Sequence, residues 1–270
     1  MSHPVLIISL VIVLILVAMT SISIGPANIS LGETVKIFLV KLHLIDYKDI
    51  NFLHENIILH IRFPRVMLAI ITGMALSVAG VVLQALLRNP LADPYIIGVS
   101  SGAALGATLA IVLGLISLIS LAGFLGAVLA MFLVYSLAKT SYKVSVKTLL
   151  LAGVIVSVFL SALISLAASL KGESMYQIIL WLMGNLSETN IILIIVAGLM
   201  VLIGIIAVYL FARDLNIISI GEESAQHLGI EVETVKKRLF IITSLITGAV
   251  VAITGLIGFV GLIIPHIMRL

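Results

Sequence analysis

Long apolar runs separated by short charged stretches make up most of the chain, and a run of about 20 such residues is long enough to cross a bilayer as a helix. Runs of this kind lie at residues 5–24, 66–87, 95–113, 118–138, 149–170, 191–211 and 239–255. They predict seven transmembrane helices. A shorter apolar piece, 259–268, follows. It would cover only about 15 Å as a helix, so a half-spanning or broken element is expected there. The first run lacks a basic leader and a small-residue cleavage site, and is expected to stay in the protein as a helix. Residues 25–61 are the one long polar stretch, with Glu33, Lys36, Lys41, Asp46, Lys48, Asp49 and Glu55, and are expected outside the bilayer. The expected fold is all-α: a polytopic transmembrane helical bundle of about eight helical elements in one domain over residues 1–270.

Composition strengthens this picture. Hydrophobic residues make up 62% of the 270 and charged residues only 10%, whereas a soluble domain is roughly half apolar and about a quarter charged. There is no cysteine, which removes disulfides and thiolate metal sites. The net charge of +3 fits basic loops on the cytoplasmic side better than nucleic-acid binding. Lys139, Lys143 and Lys147 cluster after the fourth span, and Lys236, Lys237 and Arg238 precede the seventh. Both loops are therefore expected inside, which places the N-terminus in the cytoplasm and residues 25–61 outside.

A spacing repeats. Thr72-Gly73 with Gly80 and Pro90 matches Thr247-Gly248 with Gly255 and Pro265 at an offset of 175 residues. On this topology the copies run in opposite directions, as in the inverted repeats of transporters. Small residues also recur wherever membrane helices pack closely, so chance is a rival explanation.

Several segments have the residues for chemistry or docking. Residues 213–238 form the long cytoplasmic connection, and within it Ser219 and Glu222 have the spacing of a capping box, with Gly229 at a helix-ending position. A short helix there, showing Ala225 and Leu228, has two readings: it presses into a groove on a soluble partner, or it lies among lipid headgroups. Residues 87–94 break the helical pattern with Pro90 and Pro94 and bring Gln84, Asn89 and Asp93 to the end of a span. They either border a translocation path or form a solvated turn. Arg62 and Arg65 flank Pro64 at an outer helix end, where they meet an acidic partner or snorkel to headgroups. Gly255, Gly258 and Gly261 allow close helix packing before Pro265-His266, and His266 has no partner at metal-ligand spacing. Trp181, with Gly184 and Asn185, reads as an interfacial anchor on a short re-entrant turn. No G-x-x-x-x-G-K-[ST], H-E-x-x-H or G-x-S-x-G occurs, so ATP chemistry would have to come from another chain. The spans also lack the buried charges of a proton relay.

Taken in order, Arg62-Phe-Pro-Arg65, Gly73, Gly80, Gln84, Asn89-Pro-Leu-Ala-Asp-Pro94 and Gly98-Val-Ser-Ser-Gly102 resemble the FecCD-type permeases, the family that imports ferric siderophores, haem and cobalamin. So do Leu150-Leu-Ala-Gly153, Trp181-Leu-Met-Gly184, Gly221-Glu-Glu-Ser-Ala225 with Leu228-Gly229, and Gly258-Phe-Val-Gly-Leu-Ile-Ile-Pro-His266. The resemblance implies a homodimer of ten-helix subunits in the cell membrane, an extracytoplasmic substrate-binding protein, and a dimer of ATPase subunits that holds ATP and Mg. This chain is then expected to bind no cofactor, nucleic acid or metal, and to make no bonds. By the resemblance, Gly221, Glu222, Glu223, Ala225, Leu228 and Gly229 couple to the ATPase. Arg62 and Arg65 dock the binding protein. Ser145 and Thr148 lie at a cytoplasmic gate, and Gln84, Asn89 and Asp93 are path candidates. The family continues for two helices beyond its Pro-His motif, so a C-terminally truncated chain is expected here. The rival readings are an ion-coupled secondary transporter and a non-transporting structural fragment.

Overall fold

The computed structural model describes residues 3–46, 50–140 and 143–269. Lys48 and Asp49, counted above in the polar stretch, lie outside the described residues. The chain divides into two compact units, Met1–Ile70 with Leu186–Ile194, and Ile71–Asn185 with Ile195–Leu270.

In the first unit, α1 (His3–Ser23) is apolar on every side and largely exposed, as a lipid-facing helix is. The described part of the polar stretch contains helices that its composition alone did not assign. Ser30 caps α2 (Leu31–Lys41) by accepting the Glu33 N–H, and Asn51 caps α3 (Phe52–Asn56) by accepting the Leu53 N–H. A π-helical turn, Ile57–Arg62, leads directly into α4 (Phe63–Leu86). The expected span at 66–87 is thus the end of one helical run, Phe52–Leu86, of 35 residues. At about 1.5 Å per residue that run exceeds the roughly 30 Å hydrocarbon layer. Ile22, Ile29, Ile37 and Ile58 form the core of this unit.

The second unit contains α5 (Val99–Val112), α6 (Ile119–Ala138), α7 (Val146–Leu170), α8 (Met175–Leu182), α9 (Ile191–Leu210, apart from its first turn), α10 (Ala212–Ile220), α11 (Glu222–His227), α12 (Val232–Thr254) and α13 (Val260–Ile267). Two-residue strands β1 (Lys139–Thr140) and β2 (Lys143–Val144) pair antiparallel between α6 and α7. Gly102 and Gly106 of α5 face Ala122 and Gly126 of α6 so closely that a Cβ on either α5 glycine would strike an α6 carbonyl. This is small-residue packing, in which backbones approach where side chains are absent. α12 crosses the centre of the unit with 67% of its apolar window buried.

Six helices among the described residues are long and apolar enough to cross a membrane. The expected span at 95–113 is shorter than that: a 3-10 turn, Pro94–Ile97, and a left-handed Gly98 come first, leaving α5 with 14 residues. The turn expected at Trp181 is the helix α8, and the Trp181 ring packs against the central core rather than standing as an anchor. The repeat positions differ in conformation. Gly80 continues α4, whereas Gly255, with a positive φ of 68, ends α12.

Candidate functional site

The connection 213–238 folds as α10, a tight corner and α11. The capping box is absent, because Ser219 belongs to α10 and its hydroxyl donates to the Asn216 carbonyl. The stop signal is present. Gly229 is left-handed at φ 81, its N–H donates to the Gln226 carbonyl, and the Ile230 N–H donates to the Ala225 carbonyl. That is a Schellman ending, with Ile230 packed back on the same cluster as Ala225. Ala225 therefore points inward, fully buried against Ile218, Val232 and Leu239, and does not face a partner as expected. The outer face of α11 consists of Glu223, Gln226 and His227, followed by Leu228, 69% exposed. Glu222 is half-buried and pairs with Lys236 of α12 at 3.0 Å. Behind this corner, the Arg88 guanidinium donates to the Ile218 carbonyl at 2.9 Å.

A second assembly joins the two breaks in helicity. After α4 the Asn89 side chain accepts the Leu91 N–H, and Asp93 caps the 3-10 turn by accepting the Tyr95 N–H at 2.8 Å. Burial lifts the Asp93 carboxyl above the ordinary carboxylate range, and the Tyr95 N–H offsets part of that rise. Between α12 and α13 the backbone is non-helical over 255–258. The Tyr95 hydroxyl donates to the Ile257 carbonyl at 2.6 Å and accepts the Ile257 N–H at 2.9 Å. Gln84 donates to the Gly261 carbonyl at 3.2 Å and accepts from Arg269. Gly261, in the first turn of α13 just after the second break, lies against Leu76, Gly80 and Pro94, so α13 begins alongside the middle of α4. Irregular backbone at such depth is tolerated because protein satisfies it. Gln84 is consequently committed to holding α13, and Asn89 and Asp93 to shaping the turn. An open recess of about 460 Å³ beside them is lined by Asp93, Tyr95, Ser100, Ser101, Leu256, Gly258, Phe259 and Leu262.

The remaining candidates stand apart from these two assemblies. Ser145 is the exposed N-terminal flank of α7 and Thr148, half-buried, lies in its first turn, just after the β1–β2 hairpin. In the first unit the two arginines separate. Arg65 is exposed, but Arg62 is 8% exposed and donates to the carbonyls of Ile22, Ser23 and Ala27 at 2.9, 2.6 and 2.7 Å. Arg62 thus closes the C-terminal end of α1, where unpaired carbonyls and the helix dipole favour a cation, and it is not a free docking charge. His266 is exposed, and among the described residues no three His, Cys, Asp or Glu gather as metal ligands.

Sequence reasoning missed Tyr95 and Lys236. Tyr95 bonds a residue 162 positions away, which leaves no local signal. Lys236 has an i, i+3 partner in Glu233 that spacing reveals, but its bond to Glu222 depends on how the chain turns at Gly229.

Residues 12–270 match the model of the FecCD transport family. An uncharacterized ABC transporter permease protein, YvrB, of Bacillus subtilis is 43% identical over 81% of this chain and 64% of its own length. The cobalamin import system permease BtuC of Halobacterium salinarum is 41% identical over 78% of this chain and 58% of its own. The chain thus spans less than two thirds of either relative. The molybdate import system permease MolB of Haemophilus influenzae is 33% identical over 100% of this chain and 80% of its own length. A solved inward-facing structure of an ABC transporter, assigned to the metal-chelate type, superposes with a TM-score of 0.84 at 31% identity, covering 99% of this chain and 81% of that one.

Proposed function

Because the chain belongs to the FecCD transport family, and is a multi-pass membrane protein with six spanning-length helices, we propose that it is the permease part of an ATP-binding-cassette importer for metal chelates of the siderophore, haem or cobalamin kind. It works in the cell membrane with a second copy of itself, an extracytoplasmic binding protein and a pair of ATPase subunits. ATP binding and hydrolysis on those subunits move α11 and tilt the membrane helices, so that a central path opens first to one side and then to the other. The chain changes no covalent bond.

The observation that carries this reading is the form of α11. A six-residue helix closed by a Schellman turn and buried through Ala225 offers Glu223, Gln226, His227 and Leu228 outward. Such a helix is held from behind and bare in front, which is what seating in a cleft of a moving partner requires. Relatives named for cobalamin, hemin, iron chelatin and molybdate import support the importer class and leave the chelate to be chosen by the binding protein.

The test is reconstitution of the full-length protein in proteoliposomes with its ATPase and binding protein, supplied with labelled ferric siderophore, hemin, cobalamin or molybdate. Uptake of one chelate that requires ATP is expected. Uptake that persists without the ATPase and follows an ion gradient would overturn the proposal.

A further inference from the structure

Lys236 is the one cation that joins α11 to the membrane helices by an ion pair among the described residues. Its side chain is 11% exposed, and its ammonium lies 3.0 Å from Glu222 on α11 and 3.2 Å from Glu233 one turn back on α12. A lysine this covered needs a carboxylate partner to offset the water its charge has lost. Lys236 also lines a small gap together with Leu83 and Leu86 from the end of α4 and Phe240 of α12.

Two attachments fix α11. One is apolar, from Ala225 and Ile230 into the cluster of Ile218, Val232 and Leu239. Apolar contact is non-directional and permits a short helix to slide or roll. The other is the Glu222–Lys236 pair at the start of α11, which is directional and opposes rolling. α12 then runs from Lys236 to Thr254, whose carbonyl accepts the Asn185 N–H at 2.7 Å, and ends at the break packed against Tyr95. A displacement of α11 that is pinned through Lys236 therefore reaches the buried break along one helix. Without the pin, α11 moves and α12 does not have to follow.

We propose that Lys236 is the positioning residue that transmits movement of the ATPase-facing helix to α12, so that it sets how much transport each ATP hydrolysed produces. This rests on the importer reading above. The measurement is the ratio of chelate uptake to ATP hydrolysed by the full transporter in proteoliposomes, for wild type, Lys236→Met, Glu222→Met and the exchanged pair Lys236→Glu/Glu222→Lys made together with Glu233→Gln, so that the new glutamate does not face a second carboxylate. Glu222→Met removes the acceptor on α11 and leaves Lys236 paired with Glu233. Size-exclusion profiles and thermal unfolding report folding separately.

Expected are ATPase association and hydrolysis near wild type in Lys236→Met, with the uptake ratio about tenfold lower in Lys236→Met and in Glu222→Met, within the range that coupling between two sites spans. The exchanged pair should recover at least half of the ratio. An unchanged ratio in Lys236→Met or Glu222→Met with the protein folded overturns the role of Lys236 and leaves the importer reading standing. No recovery in the folded exchanged pair also overturns it. If wild type itself shows no ATP-dependent uptake of any chelate, the importer reading falls and takes this inference with it.

Discussion

Replacing Arg62 with alanine should destabilise the protein far more than the same change at Arg65, although both look like surface cations in the sequence. The Arg62 guanidinium donates to three carbonyls, of Ile22, Ser23 and Ala27, at 2.6 to 2.9 Å. Hydrogen bonds involving a charged group are each worth about 1.5–3 kcal/mol, and a buried acceptor left unpaired costs about 1–3 kcal/mol. These contributions share one side chain and do not add in full, so a loss of roughly 3–5 kcal/mol is reasonable. By the scaling of soluble domains, each kcal/mol moves the unfolding temperature by about 2–4 °C at this size, so a fall on the order of 10 °C follows. Gly25 sits against the guanidinium with no room for a Cβ, so Gly25→Ala should produce a smaller fall by displacing the same group. Arg65→Ala is expected to change stability by less than about 0.5 kcal/mol. The assay is thermal unfolding in nanodiscs, paired with binding-protein affinity at low and high salt. Arg62→Ala should lose affinity only with loss of order in the α1–α2 corner, and equally at all salt concentrations. Any Arg65 effect should fade above about 0.15 M, where the screening length drops below about 8 Å. Equal stability of the two alanine variants would refute the argument.

Other changes separate surface from core in the same way. Leu228→Asp should leave unfolding temperature near wild type while preventing ATPase binding, whereas Ala225→Leu should cost about 1–3 kcal/mol by overpacking before any partner is involved; equal unfolding temperatures in the two would contradict the orientation of α11. Gly106→Val places a Cβ on the Ala122 carbonyl and should separate α5 from α6, read as a loss of folded protein in detergent; wild-type yield and stability would count against the close approach. Asp93 gives a dependence on pH. Its folded-state carboxyl is raised by burial, so its contribution is complete below the unfolded pKa of about 3.9 and is lost as pH rises through the folded value. Wild type should therefore gain stability relative to Asp93→Asn as pH falls from neutral into the acid range, and a difference flat with pH would dismiss the shift.

The positions of the long helices were legible because each is an apolar run bounded by charge, and α1, α6, α7 and α9 fall within a few residues of expectation. Gly229 was legible for a related reason: a glycine after a short polar helix can take the left-handed conformation that other residues resist. What escaped was everything decided by contacts across the sequence. Alanine is small enough to fit either face of a helix, so only the packing of α10 and α12 reveals that Ala225 points in. Arg62 carries the same charge as Arg65, and its fate depends on carbonyls 35 to 40 residues upstream. The helices α2 and α3 were hidden because their caps, Ser30 and Asn51, are residues equally at home in loops.

The reciprocal hold between Tyr95 and Ile257 has a consequence for how the protein is made. The 3-10 turn after α4 leaves the ribosome long before residue 257 exists, so its tyrosine hydroxyl enters the membrane with no permanent partner. The backbone of Ile257 arrives later and is provided for at once. Synthesis therefore leaves the early helices insertable but unfinished, and the second break seals the first. A chain stalled before residue 257 would leave the Tyr95 hydroxyl, in the turn between α4 and α5, without either of its Ile257 partners.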